Sequence, residues 1–166
     1  MIKQLQKMFK ALNSNKAPGE LAHAFALGML LAFVPKGNLL WVILFAVSFF
    51  LRINRATMLL SIILGSVFVP LLDGVFDSTG YAVLTNENLV PFFTALSEIP
   101  FAVFTRFNNS VVMGSLVWGI ILYIPFLAAG FMFVKKWRTT LAPLFRKSRL
   151  CRILENVPLF KVEKDD

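Results

Sequence analysis

Residues Val111 to Val134 run without an ionisable side chain except Tyr123, and Lys135, Lys136, Trp137 and Arg138 close the run. At about 1.5 Å per residue this stretch exceeds the roughly 30 Å hydrocarbon core of a bilayer, and basic and aromatic residues settle at its interface. A transmembrane helix is expected here. Composition extends the expectation to the whole chain: hydrophobic residues are 57% of 166 and charged residues 16%, against roughly 45–50% and 25% in soluble domains. Seventeen lysines and arginines against nine acids exclude an acidic chain, and eighteen Phe residues exclude a disordered one. The single cysteine, Cys151, excludes an internal disulfide framework and an all-cysteine metal site.

The fold class that follows is an all-α polytopic integral membrane protein. It has a short helical pair, two longer transmembrane helices and amphipathic terminal helices. The second long candidate is Ala56 to Leu72, with Arg52 and Arg55 before it and Asp73 after it. Leu21 to Pro35 and Leu39 to Leu51 form the short pair, joined by Lys36, Gly37 and Asn38. Each reaches only about 20–22 Å as a helix, short of the hydrocarbon core. Two arrangements fit. Both segments cross, with Lys36 snorkelling to the far interface, or they form a re-entrant hairpin whose tip stays at depth. A lysine at the bilayer centre costs about 2.5–3.5 kcal/mol on insertion scales, which tilts the balance toward crossing. The hairpin stays open because non-helical backbone is tolerated where protein or water covers it.

Charge sets the orientation under either arrangement. Lys3, Lys7, Lys10 and Lys16 precede the pair, Arg52 and Arg55 follow it, and seven lysines and arginines lie between 135 and 152. The connection 73–109 carries Asp73, Asp77, Glu87 and Glu98 against Arg106 alone. Positive residues collect on the cytoplasmic side, so both termini are placed inside and that connection outside. Three regions result: an amphipathic cytoplasmic helix over 1–17, a membrane domain over 18–137, and a basic cytoplasmic segment over 138–166. The terminal helices would lie on the inner leaflet, making the lipid bilayer and its anionic headgroups the expected partners. Nucleic acid is not expected, because basic charge beside a membrane span is what a cytoplasmic flank requires. Phe33-Val34-Pro35 offers no small-residue cleavage site, so the opening does not read as a signal peptide. Leu89 to Phe104, interrupted by Pro91 and Pro100, reads as an interfacial helix on the outer face.

Apolar side chains gain little by leaving lipid, so helix contacts rely on small residues. Ala24, Gly28 and Ala32 repeat at four-residue spacing, as do Ser61 and Gly65. Such ridges could pack within the chain or against a second copy or another membrane protein. Pro35 and Pro70 are expected to end their helices, and Pro125 to kink the last one.

Catalytic patterns are missing from the sequence: there is no phosphate-binding glycine loop, no nucleophile elbow and only one histidine, His23. Glu20 and His23 suit a helix entrance. No cofactor, metal or enzymatic activity is expected. The polar residues that stand out are Lys36, Gly37 and Asn38 at one turn and Arg52, Asn54 and Arg55 at the next. Polar groups held near a membrane are functional candidates by default.

The pattern Ala24-Phe25-Ala26-Leu27-Gly28, then Phe33-Val34-Pro35-Lys36-Gly37-Asn38, then Arg52-Ile53-Asn54-Arg55 resembles the core of a bacterial membrane-protein family catalogued as domain of unknown function 2062. The resemblance covers roughly Pro18 to Leu72, with Val69-Pro70 where that family carries an Asn-Pro element. It implies a multipass protein of the bacterial cytoplasmic membrane and transfers no catalytic residue. Two roles fit. One is transport or lipid handling, with the short pair forming a wet pathway around Lys36 and Asn38. The other is an accessory or assembly protein acting through its basic cytoplasmic helices.

Overall fold

A computed structural model describes residues 18–136 and residue 139. The expected amphipathic segment 1–17 and nearly all of the basic segment 138–166 lie outside the described residues. Five α-helices are present among the described residues, with no strand: α1 (Pro18–Phe33), α2 (Leu39–Ser48), α3 (Arg55–Leu84), α4 (Val90–Ser97) and α5 (Ser110–Lys136). A 3-10 turn, Ala102–Thr105, lies between α4 and α5.

Local chemistry sets the boundaries. Pro18 opens α1, where its missing N–H costs nothing, and Glu20 sits in the positive first turn. Asn38 caps α2 and Asn54 caps α3, each side-chain oxygen accepting a backbone N–H three residues on. Asn109 does the same for Val112 at the start of α5, at 3.1 Å. Thr85 closes α3, with its N–H and hydroxyl both donating to the Tyr81 carbonyl at 3.0 and 2.8 Å.

Helix α3 departs from the sequence expectation. It passes through Pro70 and continues to Leu84, so the connection expected over 73–109 shrinks to 85–109, and Asp73 and Asp77 sit on the helix. A proline removes one hydrogen bond to the residue four earlier, here Ser66, and neighbouring helices can hold the backbone across that gap. Pro125 lies inside α5 as expected. The interfacial stretch Leu89 to Phe104 resolves into α4 and the separate 3-10 turn.

The contacts fix the directions. Gly28 meets Met58 and Ser61, Gly65 meets Ala32 and Met29, and the numbers rise together, so α1 and α3 run parallel. Gly119 packs on Leu30 and Gly130 on Ala22, so α5 runs antiparallel to both. Parallel neighbours need a return segment between them, and α2 supplies it. Above Gly65 the third helix passes over the C-terminal end of α1, where Phe76 meets Phe33 with ring centroids 5.3 Å apart. It then crosses α5 at Gly80 and Gly114, where a Cβ on either glycine would fall on the partner helix's backbone.

Small residues line the helix contacts. Ala22, Ala24, Ala26, Gly28 and Ala32 are buried along α1, as are Ser61, Gly65 and Gly80 on α3 and Gly114, Ser115 and Gly119 on α5. Leu21, Leu31, Phe33, Met58 and Phe76 are buried with them, while other large apolar residues face outward, including Val67, Phe68 and Leu71 on α3 and Ile120, Ile121 and Ile124 on α5. Both α3 and α5 are long and apolar enough to cross a membrane.

Candidate functional site at the tip of the short helical pair

The turn between α1 and α2 begins with a backbone problem. Residue 35 should donate an N–H to the Leu31 carbonyl, but proline has none. The indole Nε1–H of Trp41 donates to that carbonyl instead, at 2.9 Å. Asn38, 5% exposed, completes the turn: its Oδ1 accepts from the Trp41 N–H at 2.7 Å and its Nδ2 donates to the Pro35 carbonyl at 2.9 Å. Both ends of this amide are therefore used in holding the turn, which leaves Lys36 as the turn's projecting polar group. Gly37 has φ of +91°, a backbone conformation that favours glycine.

Lys36 Nζ donates to Ser66 Oγ at 2.8 Å, and Ser66 Oγ donates to the Ile62 carbonyl at 2.6 Å. Ser66 is also the residue whose own carbonyl loses a helical partner to Pro70. The lysine thus meets α3 at a local weakness in its backbone ladder. Along the helix axis Ser66 lies about 16 Å beyond Arg55, within the apolar stretch 56–72. The tip of the pair stops against the side of α3 rather than at its end.

The second turn lies at the base of the pair. Asn54 Oδ1 accepts from the Thr57 N–H and hydroxyl at 2.9 and 3.1 Å. The Arg55 guanidinium lies 4.9 Å from the Phe49 ring centroid. Trp41 stacks on Phe45 at 5.0 Å, and Phe45 meets Phe49 edge-on at 5.2 Å. An aromatic ladder at four-residue spacing therefore links tip to base, its first two rings packed on the cluster of Ala24, Leu31, Met58 and Ile62. Arg52 is exposed beside this turn.

The connection 85–109 folds back onto the tip. The 3-10 turn packs against α2, and Phe101 and Arg106 flank it with left-handed φ values of 70° and 55°. Between this segment and Gly37 lies an open cleft of about 600 Å³, also lined by Val103, Phe104, Arg106, Asn108 and Asn109.

The small-residue ridges meet one another: Gly28 of the Ala24-Gly28-Ala32 ridge fits against Ser61, and Gly65 against Ala32. Both ridges are consumed within the chain, which leaves neither face open for a second copy. His23 lies elsewhere, its Nδ1 3.1 Å from the Tyr123 hydroxyl on the seam of α1 and α5. Sequence reading missed Trp41, Ser66 and Arg106 at the tip. Two of them carried a signal, since Pro35 deprives Leu31 and Pro70 deprives Ser66 of a donor. No group of three or more His, Cys, Asp or Glu residues placed to hold a metal occurs among the described residues.

These features define a class: an all-helical chain with two long apolar helices and a short helical pair lodged beside them. The chain is 41% identical over 161 residues to an uncharacterised protein of Treponema pallidum (strain Nichols), an alignment that covers 97% of this chain and 99% of that protein. The two belong to one family. No family model matches the chain, and no solved structure matches it.

Proposed function

We propose that this protein is a small, non-enzymatic multipass protein of the bacterial cytoplasmic membrane that handles lipid at the tip of its short helical pair. The membrane reading is supported by the sorting of side chains. In the most apolar eighteen-residue windows of α3 and α5 only 28% and 17% of residues are buried, whereas the core helix of a soluble protein would be mostly buried. Many exposed large apolar side chains on α3 and α5, with glycine, alanine and serine at the helix contacts, are what lipid as solvent favours. The positive flanks, with four lysines before α1 and seven lysines and arginines between 135 and 152, support a cytoplasmic location for both termini.

The observation that carries the lipid reading is the engagement of Lys36 with Ser66 part-way along α3. It favours the re-entrant form of the pair, with a polar tip held part-way along the apolar stretch of α3. Such a tip beside an open cleft suits an amphipathic molecule, whose headgroup enters the notch while its tails stay in the bilayer. A hydrated ion would instead need an enclosed path. The alternative role, assembly through basic cytoplasmic helices, rests on segments outside the described residues.

Reconstitution into vesicles holding a fluorescent phospholipid tests the reading. The protein should accelerate exchange of that lipid between leaflets, followed as loss of signal to an impermeant quencher, and Lys36→Ala should lower the acceleration about tenfold. Equal rates with and without protein would sink the lipid role.

A further inference from the structure

Resting on the lipid reading above, we infer that the cleft between Gly37 and the 103–109 segment is a binding site for a phosphate-bearing anion, the headgroup of an anionic phospholipid, with Arg106 as its recognition residue. Arg106 is the one cation between Asp73 and Asn109. It is exposed and lines the cleft with Asn108 and Asn109. No carboxylate lines that cleft; the nearby Asp77 accepts a hydrogen bond from Ser110 instead. Arg106 is fixed at a left-handed φ of 55° by the N–H it donates to the Val103 carbonyl at 3.0 Å and by the Asn109 N–H that its own carbonyl accepts at 2.9 Å. A non-glycine residue held there carries a backbone cost of order 1 kcal/mol, which persists only when the surroundings enforce it.

The chemistry selects the ligand class. A guanidinium presents a planar fork that matches two phosphate oxygens, and the amides of Asn108 and Asn109 can add neutral donors. Asn109 spends its Oδ1 on the α5 cap, so its remaining side-chain group is a donor. The apolar part of a lipid has a place as well. Val103 and Phe104 line the same cleft, and the exposed Val42, Ile43 and Val47 lie along α2, which packs on the 3-10 turn. A free phosphate would use the polar groups alone.

The test uses the full-length protein in nanodiscs of mixed phosphatidylglycerol and phosphatidylcholine, with retained lipid counted by native mass spectrometry. Wild type should retain phosphatidylglycerol above its bulk share. Arg106→Gln should weaken that retention about tenfold, the scale of one charge-assisted hydrogen bond. Arg106→Lys should keep part of it, and Asn108→Asp, which places a negative charge in the cleft, should remove it. Arg55→Gln at the base of the pair should leave it unchanged. Labelled inorganic phosphate in discs of phosphatidylcholine alone separates the sources: phosphate retained by wild type and lost in Arg106→Gln supports the anion site and assigns it to soluble phosphate. Equal retention in wild type and Arg106→Gln, or equal loss in Arg55→Gln, overturns the proposal. Failure of the membrane reading looks different, since the protein would then be recovered in aqueous buffer without detergent.

Discussion

Trp41 donates its indole N–H to the Leu31 carbonyl across 2.9 Å, replacing the donor that Pro35 cannot supply. The contact ties the first residues of α2 to the last turn of α1, beside the rings of Trp41 and Phe45 that pack on Ala24 and Leu31. Trp41→Phe removes this bond and trims part of the aromatic surface that stacks on Phe45. An unsatisfied buried carbonyl should then cost about 1–3 kcal/mol, read as a lower midpoint in denaturant titration of the detergent-solubilised protein. A midpoint equal to wild type would mean that water serves the carbonyl.

The crossing of α3 and α5 makes a sharper prediction. A Cβ at Gly80 or Gly114 meets backbone rather than a flexible side chain, whereas Gly74 has open space around it. Gly80→Ala and Gly114→Ala should therefore separate the helices and destabilise by about 2–4 kcal/mol, on the scale of severe overpacking. Gly74→Ala should be neutral, or stabilising by up to about 1 kcal/mol through helix propensity. Thermal unfolding of the three variants side by side checks the contrast.

Lys36 should separate stability from activity. Its ammonium has a single serine hydroxyl as partner, so Lys36→Met removes little and should leave stability within about 0.5 kcal/mol of wild type. Lipid exchange in vesicles should fall about tenfold, equivalent to about 1.4 kcal/mol. Loss of both together would make the lysine a structural residue.

Asn38 and Asn54 are capping residues with different additional duties. Asn54→Ala removes a cap and the Thr57 hydroxyl contact, at a cost of about 1 kcal/mol. Asn38→Ala also frees the Pro35 carbonyl and should cost more, about 2 kcal/mol. Asn38→Asp keeps the cap but not the Nδ2 donor, so its unfolding midpoint should fall between those of wild type and Asn38→Ala.

Depth of the tip can be measured directly. In a Cys151→Ser background, Lys36→Cys should react with an impermeant thiol reagent from the outer side more slowly than Asn108→Cys and not at all from the cytoplasmic side. Gly37 is the poorer reporter position because its φ of +91° penalises any side chain. Reaction of Lys36→Cys as fast as Asn108→Cys would indicate a full crossing.

Much of this architecture was legible from residue order. Charge-free length announced α5, and the spacing of Ala24, Gly28 and Ala32 marked the face that α1 turns to α3. Other features were hidden for physical reasons. Asp73 and Pro70 both read as stops, yet a helix tolerates either when its neighbours hold the backbone, so α3 ran twelve residues beyond the expected Leu72 to Leu84. Gly80 lacks a partner small residue at four-residue spacing that would flag it, because its partner lies on another helix. The tip was recognised by its polarity, but the contact between Lys36 and Ser66 depends on α1 and α3 running parallel, which no local pattern states.

That parallel arrangement constrains the order of assembly. As the chain leaves the ribosome, the glycine seam between the first and third helices can close once Leu84 has emerged. The crossing at Gly80 and the packing on Leu30 must wait for a partner that begins at Ser110. A nascent chain arrested before that point would hold a half-built bundle, with the surfaces reserved for its final helix left uncovered.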